Sequence, residues 1–374
     1  MVERQTPAHP LELEIPMRCS PEEITVAPNV LETSSVIATY VPDLIYAKGF
    51  DVSSVFDCGD EMKRYAGDVD YHSLMHNVQK PSLVSRNVEA LSFFANKLVL
   101  REWVDGLVPI QKSFGFSSDL SDELEIKRLF QIVVSKVRSL EEFIIKPVNG
   151  SESIGTLKAF LYLGEIRTQF LGSSKIDRLD FNGDAVISDY DSFKYWIQET
   201  MLGTTSGNID THLRHIQPGL IIQELFPHDQ EQRGPTEMKF NTAWGELLYV
   251  GCRNSKGVCL GKDGEHLEGD LGLAHVLQAL FFENLKGMAL SLARASTFPN
   301  LRFDFFVDIE SGEWVLNEIA TLADCRSYPN YILATTGEFY LKGWIENAYR
   351  KFETPLTVPL LRERLCSEMM KPAA

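Results

Sequence analysis

Cysteine is sparse and scattered. Cys19, Cys58, Cys252, Cys259, Cys325 and Cys366 form no CxxC pair and no Cys/His spacing of the kind that holds zinc. In a chain of this length that pattern excludes a metal-stapled or disulfide-framed mini-domain and reads as reduced, mostly buried thiols. Positive charge is also in deficit. Lys and Arg number 36 against 52 Asp and Glu, a formal net charge of −16, which argues against nucleic acid as a partner held by a broad basic surface. A few local cations around a phosphate remain compatible with it. No apolar run approaches the roughly 20 residues of a membrane span, there is no GxxxxGK[ST] phosphate loop, and no repeat or low-complexity tract is present. The opening MVERQTPAHPLELEIP carries acids and prolines rather than the apolar core of a signal peptide, so a cytoplasmic protein with no membrane partner is expected.

What remains is ordinary globular composition, 44% hydrophobic and 24% charged over 374 residues, enough for two or three structural units. Residues 1–30 form a Pro- and Glu-rich arm. Ser35–Val41 and Asp51–Cys58 read as strands of a small α/β unit. Val88–Val104 has helical spacing and stops before Gly106, Leu107–Gln111 reads as a short strand, and Ser121–Val137 as a helix with a Ser cap. Glu142–Lys146 is a strand broken at Pro147 and followed by the polar loop Asn149–Gly155. Asp189–Met201 is helical, Leu220–Phe226 a buried strand, and Met238–Thr242 with Glu246–Cys252 a hairpin across Trp244-Gly245. Leu271–Arg294 predicts a long helix and Phe339–Phe352 a last one. This distribution predicts α+β packing with mostly antiparallel sheets.

The most informative stretch is Leu301–Thr321, LRFDFFVDIESGEWVLNEIAT. Two apolar runs, Leu301–Ile309 and Glu313–Ile319, flank turn residues and predict a hairpin. Asp304 lies amid Phe303, Phe305 and Phe306, and Glu318 lies between Asn317 and Ile319. A carboxylate in a core-like strand must be paired, protonated or bound to a cation. Two on neighbouring strands, with Arg302 nearby, fit either a divalent cation beside an anionic ligand or an Arg–Asp pair at a sheet edge. Upstream, the loop from Lys146 to Gly155 lets backbone amides and hydroxyls approach phosphate oxygens, although the same composition also makes a plain turn. Gln223-Glu224-Leu225 ends a buried strand, where main-chain groups can read the edge of a flat base; an amphipathic strand end explains it equally. Glu237 and Lys239 share a strand face, and Arg253 ends the next strand. Lys97, Lys146, Lys239, Arg253 and Arg302 together would surround a polyanion. His72 and His76 have i,i+4 spacing but no third ligand, and read as surface or partly buried histidines.

Taken in order, these segments resemble the ATP-grasp superfamily, and within it most closely the TupA-like ATP-grasp proteins; D-alanine–D-alanine ligases share the same order of features. The resemblance runs from about Asn87 to Asp324 and is carried by ANKLVLREWV (Ala95–Val104), FIIKPVNGSESIG (Phe143–Gly155), LIIQELF (Leu220–Phe226), GPTEMKFNTAWGELLYVGCR (Gly234–Arg253) and LRFDFFVD with WVLNEIATL. It implies an α/β and α+β protein of the ATP-grasp fold. An N-terminal arm and α/β unit (1–86) would precede two α+β lobes clasping ATP, a small lobe (87–225) with the phosphate loop 146–155 and a large lobe (226–374) with a magnesium site. The implied cofactors are ATP and Mg2+.

Residue by residue, the resemblance places Lys97 and Lys146 on the phosphates and base. Gly150, Ser151, Ser153 and Gly155 fall in the loop over the phosphates, and Gln223, Glu224 and Leu225 at the adenine hinge. Glu237 falls near the ribose, with Lys239 in the same pocket. Arg302 and Arg253 become catalytic cations, and Asp304 and Glu318 magnesium ligands. One departure stands out. The ligases carry Glu-x-Asn where this chain has Glu318-Ile319-Ala320, so Asn317, Asp324 or water must substitute, or a single magnesium binds. The implied activity is C–N ligation of a small-molecule carboxylate to an amine, amino acids or peptides among them, through an acylphosphate, in a chain that forms homodimers as its relatives commonly do. Two alternatives stand beside it. One is an ATP-grasp kinase acting on a hydroxyl; the other, motivated by Ala320, is a nucleotide-binding scaffold or assembly factor with weak catalysis.

Overall fold

The computed structural model describes residues 88–139, 142–149, 156–162, 165–170, 184–186, 189–204, 213, 215–227, 234–253, 257–298, 300–321 and 356–371. The expected N-terminal unit, with its strands and both histidines, lies outside the described residues, as do the loop 150–155, Asp324 and the helix expected at Phe339–Phe352.

The helix expected over Val88–Val104 is two helices, because Asn96 interrupts it. Extended at φ −75° and ψ 113°, Asn96 accepts from the amides of Leu98 (2.9 Å) and Val99 (3.5 Å), the N-cap geometry that ends α1 (Val88–Ala95) and starts α2 (Lys97–Val104). Lys97 therefore opens a helix instead of sitting inside one. The strand expected at Leu107–Gln111 is irregular backbone. Pro109 has no N–H to give a ladder; its carbonyl accepts from Leu316 N at 2.8 Å, and Ile110 makes one isolated bridge to Leu316. The strand comes later, as β1 (Ser113–Ser117). Helix α3 (Glu123–Arg138) is capped by Asp122, not Ser121, whose hydroxyl is taken by Asp119.

Strands β2 (Phe143–Pro147), β3 (Leu157–Tyr162), β4 (Glu165–Phe170) and β5 (Asp184–Val186), then α4 (Tyr190–Thr204) and β6 (Leu220–Glu224), complete a first sheet of order β1-β6-β2-β3-β4-β5, antiparallel throughout. Phe143, Ile145, Leu220 and Ile222 bury one face against Leu129 and Val133 of α3 and Phe193 and Trp196 of α4. Strand alternation then commits Ile144, Lys146, Ile221 and Gln223 to the other face.

The second sheet contains β7 (Thr236–Ala243), β8 (Glu246–Arg253), β9 (Cys259–Gly261), β10 (His266–Glu268), β11 (Asn300–Val307) and β12 (Trp314–Ala320), in the order β10-β9-β8-β7-β11-β12. The β7–β8 hairpin turns on Trp244 and Gly245, both at positive φ (57° and 77°), as a two-residue turn requires. The long helix expected from Leu271 is α5 (Leu271–Leu277), a π-helical stretch over Gln278–Phe282 and α6 (Glu283–Ser296). Met238, Phe240, Phe303 and Phe305 share a core with Phe282, Leu285 and Leu292 of this helix. Leu91, Phe94, Trp103 and Val104 of α1 and α2 join the same core, although they precede the first sheet in sequence.

One further helix, α7 (Val358–Met369), was not foreseen. It buries Leu361 and Leu365, and Arg362 donates to the carbonyls of Glu102 (2.8 Å) and Trp103 (3.2 Å) at the end of α2. The helix therefore braces the one that begins with Lys97. Among the described residues, no helix is long and apolar enough to cross a membrane. Truncating Leu361 to Ala should lower stability in urea unfolding by about 2–5 kcal/mol, whereas the same change at exposed Leu124 should stay within about 0.5 kcal/mol.

Candidate active site

Asp304 and Glu318 face each other across β11 and β12, but the next pair is Phe305 with Leu316. Asn317 is thus the extra residue of a β-bulge, which re-aims a side chain without displacing the rest of the strand. As a result, consecutive residues serve one junction between the sheets. Asn317 meets Lys146 and Glu237, while Glu318 lies 3.9 Å from Lys97 and 4.0 Å from Arg302.

Asp304 has no exposed surface. Arg302 holds it in a fork, Nε to Oδ1 at 2.6 Å and Nη2 to Oδ2 at 2.7 Å, and Lys239, opposite it on β7, adds a 3.1 Å bond to Oδ2. Burial alone would push this carboxyl up, but the Arg302 and Lys239 charges outweigh burial and hold it below the usual range. Lys239 is the mirror case: burial pulls it down, and Asp304 and Glu237 together hold it above its ordinary value. Glu237 is also buried, bound by Lys239 at 3.0 Å and by Asn317 Nδ2 at 3.2 Å. Burial, opposed by Lys239 and reinforced by Asp304 and Glu318, raises its carboxyl toward the neutral form.

Lys146 crosses from the first sheet to the second. Its ammonium donates to Asn317 Oδ1 at 3.1 Å and to Gln111 Oε1 at 3.3 Å. Burial, and then the charge of Lys97, lower it to about 7. Lys97 is lowered as well, by burial that Glu318 partly offsets. Four cationic side chains and three carboxylates therefore share one region, in which Lys146 is hydrogen-bonded to the neutral amides of Asn317 and Gln111. Such a site favours an incoming anion of high charge density.

On the same face of the first sheet, Gln223 is buried and its Oε1 has no hydrogen-bond partner among the described residues. The neighbouring Glu224 amide donates to Lys112 O at 3.0 Å, and its carbonyl accepts from Gln111 Nε2 at 3.3 Å. Leu225 follows, half-buried.

Of the residues singled out in the sequence, Lys97, Lys146, Glu237, Lys239, Arg302, Asp304, Asn317 and Glu318 come together, with Gln223 and Glu224 on the adjoining strand end. Arg253 stands opposite Glu237 in register but is exposed at the rim. Gly150, Ser151, Ser153 and Gly155 lie outside the described residues. Ala320 is opposite Arg302 and brings no ligand, and the Asn317 oxygen that would replace one is already bonded to Lys146. Gln111 was missed: a lone Gln in an irregular segment carries no periodicity or motif, and only its near-complete burial marks it.

Among the described residues no group of three or more His, Cys, Asp or Glu stands ready as a metal cage. Two carboxylates on facing positions nonetheless suit magnesium, which takes one or two protein carboxylates and completes its shell with phosphate oxygens and water. The Arg302 guanidinium already lies against both of them, close to Asp304 and 4.0 Å from Glu318, so the pair is arranged around positive charge.

No family model and no curated protein matches the chain. Solved structures do match it. The ATP-grasp ligase PsnB, complexed with precursor peptide PsnA2 and AMPPNP, is 11% identical over 83% of this chain and 70% of that one, with a TM-score of 0.34. D-alanyl-alanine synthetase A from Vibrio cholerae O1 biovar eltor str. N16961 is 16% identical over 70% of this chain and 66% of that one, TM-score 0.34. D-alanine–D-alanine ligase from Bacillus anthracis is 10% identical over 85% and 93%, TM-score 0.38. An ATP-grasp ligase and a D-alanine–D-alanine ligase are thus among the structures to which the chain is similar, and none of the three is described as a TupA-like protein. No chemistry is carried over from these likenesses; the chemistry rests on the geometry above.

The state of Lys146 has a measurable consequence. The folded site holds its proton to about pH 7, against 10.5 for the ordinary lysine. The unfolded chain therefore binds more protons between these values, and folding stability contributed by this group rises with pH across that window. A polyanion favours the charged form, so its binding above pH 7 should take up a proton at Lys146. Calorimetry of inorganic triphosphate at pH 8 in buffers of different ionisation enthalpy should show this uptake. Lys146→Arg, which stays charged, should remove that component.

Proposed function

We propose that the chain is an ATP-grasp enzyme that uses ATP to join a carboxylate to an amine through an acylphosphate, releasing ADP and phosphate. The observation that supports this reading best is the junction itself: Lys146 of the first sheet bonded to the bulge residue Asn317 of the second, beside the facing carboxylates Asp304 and Glu318. Here the triphosphate would lie among Lys97, Lys146, Lys239 and Arg302, and the base against Gln223, Glu224 and Leu225. Glu237 would contact the ribose by exchanging one of its present partners for a hydroxyl.

The substrate carboxylate attacks the γ-phosphorus, and the bond to the β,γ-bridging oxygen breaks as ADP leaves. The amine then attacks the acyl carbon, the acyl C–O bond breaks as phosphate leaves the tetrahedral intermediate with the electron pair, and the proton lost by the amine passes to the departing phosphate. Neither step needs a protein nucleophile. The side chains that meet here are cations, carboxylates and amides, which orient reactants and stabilise moving negative charge. Arg302, fixed by both oxygens of Asp304, is rigid enough to serve the transferring phosphoryl group, and exposed Arg253 is placed at the rim where a second anion enters. Glu318, and Asp304 on exchanging one of its present partners, would hold magnesium, which when bound neutralises charge on the phosphates. A reducing cytoplasmic setting suits the thiols of Cys252, Cys259 and Cys366, which form no disulfide.

A second reading, nucleotide binding without turnover, is favoured by Ala320 and by the engagement of Asn317 with Lys146. A screen for ADP release over carboxylate and amine panels with magnesium separates the readings. The ligase reading predicts turnover only when both substrates are present, and a loss of about 100-fold or more in Asp304→Asn and in Glu318→Gln. A stable phosphoester formed without amine would indicate a kinase, and ATP binding without turnover across the panels a scaffold.

A further inference from the structure

We propose that Gln111 is a positioning residue that ties the base end of the nucleotide site to its phosphate end. This rests on the nucleotide reading above and adds a residue to it. Gln111 is 2% exposed and lies in the irregular segment between α2 and β1, where the two sheets meet. Pro109 and Ile110 are docked on Leu316 of β12, one residue before the bulge at Asn317. Lys112 is docked on β6, its carbonyl taking the Glu224 amide at 3.0 Å and its amide donating to Glu224 Oε1 at 3.3 Å. Between these two anchors the Gln111 carbonyl accepts from Arg101 Nη1 at 2.9 Å, which ties it to α2.

The side chain then reaches in two directions. Oε1 accepts from Lys146 at 3.3 Å, and Nε2 donates to the Glu224 carbonyl at 3.3 Å. An ammonium only donates and a carbonyl only accepts, so the amide has a single orientation that satisfies both. Glutamate lacks the donor, and an apolar side chain of similar length lacks both groups. The Glu224 carbonyl keeps a second lone pair for the amino group of a base, and its direction is set by the Gln111 amide. The same amide holds Lys146 at the sheet junction without adding a charge that would compete for the phosphate.

The test uses the full chain, inorganic triphosphate, adenosine and ATP as probes, and two variants whose melting temperatures are checked first. Gln111→Glu keeps an oxygen toward Lys146 but sets an acceptor against the Glu224 carbonyl. It should weaken adenosine about tenfold with an unchanged melting temperature, which separates the loss from a folding defect, and its charge should pair with Lys146 and weaken triphosphate as well. Gln111→Met removes both contacts and should weaken adenosine and triphosphate alike, by about tenfold each. Lys146→Met should weaken triphosphate by a larger factor than adenosine. Unchanged adenosine binding in Gln111→Glu, or unchanged binding of both probes in Gln111→Met, overturns the assignment while ATP binding by the wild type keeps the nucleotide reading intact. A wild-type chain that does not bind ATP overturns that reading and this assignment together.

Discussion

A charged carboxylate with no exposed surface, Asp304, sits on β11, between β7 and the edge strand β12 of a six-stranded sheet. Its desolvation is offset only because Arg302 and Lys239 supply two hydrogen-bonded positive charges on adjacent positions, and removing either partner would leave a buried charge uncompensated. Much of the site follows from this group. Arg302 is held rigid because both Asp304 oxygens are used. Lys239, drawn onto Asp304, also reaches Glu237, which in turn holds the amide of Asn317. Through Asn317 the chain of contacts crosses to Lys146 and the first sheet.

This arrangement separates the lysines into two kinds. Lys239 is paired with carboxylates and stays charged, whereas Lys146 is buried with neutral amides and near the charge of Lys97, so its proton is weakly held. Titratable groups pushed in opposite directions within one small region are a mark of functional sites, although structural ion-pair networks perturb them too. What distinguishes this network is that it does not complete itself. Lys146 is hydrogen-bonded to neutral amides where Lys239 and Arg302 have carboxylates close at hand, and a bound polyphosphate is the chemistry that would supply its counter-charge.

Much of the second sheet could be read in the sequence. Alternation placed Glu237 with Lys239 on a shared strand face, Arg302 lay close to Asp304 in the chain, and Trp244-Gly245 marked the hairpin between β7 and β8. The antiparallel α+β packing and the helices around residues 121–137, 189–201 and 271–294 were equally legible from hydrophobic periodicity. Three features that shape the site were not. Asn96 looks like one polar position in an amphipathic helix, yet its side chain caps a new one. The bulge at Asn317 changes register by one residue without altering composition, so sequence offered Asn317 as a stand-in ligand and structure makes it a bridge. Gln111 owes its role to contacts with residues 35 and 113 positions away, which no local pattern reports.

The central claim is that a nucleotide lies at the junction of the two sheets with its phosphates on Lys146. A crystal structure of the full chain with magnesium and a non-hydrolysable ATP analogue tests it most directly. The account predicts the triphosphate among Lys97, Lys146 and Arg302, the Lys146 ammonium within hydrogen-bond distance of a phosphate oxygen, and the base beside Gln223 and Glu224. A nucleotide bound elsewhere, with Lys146 still shared between Asn317 and Gln111, would contradict it.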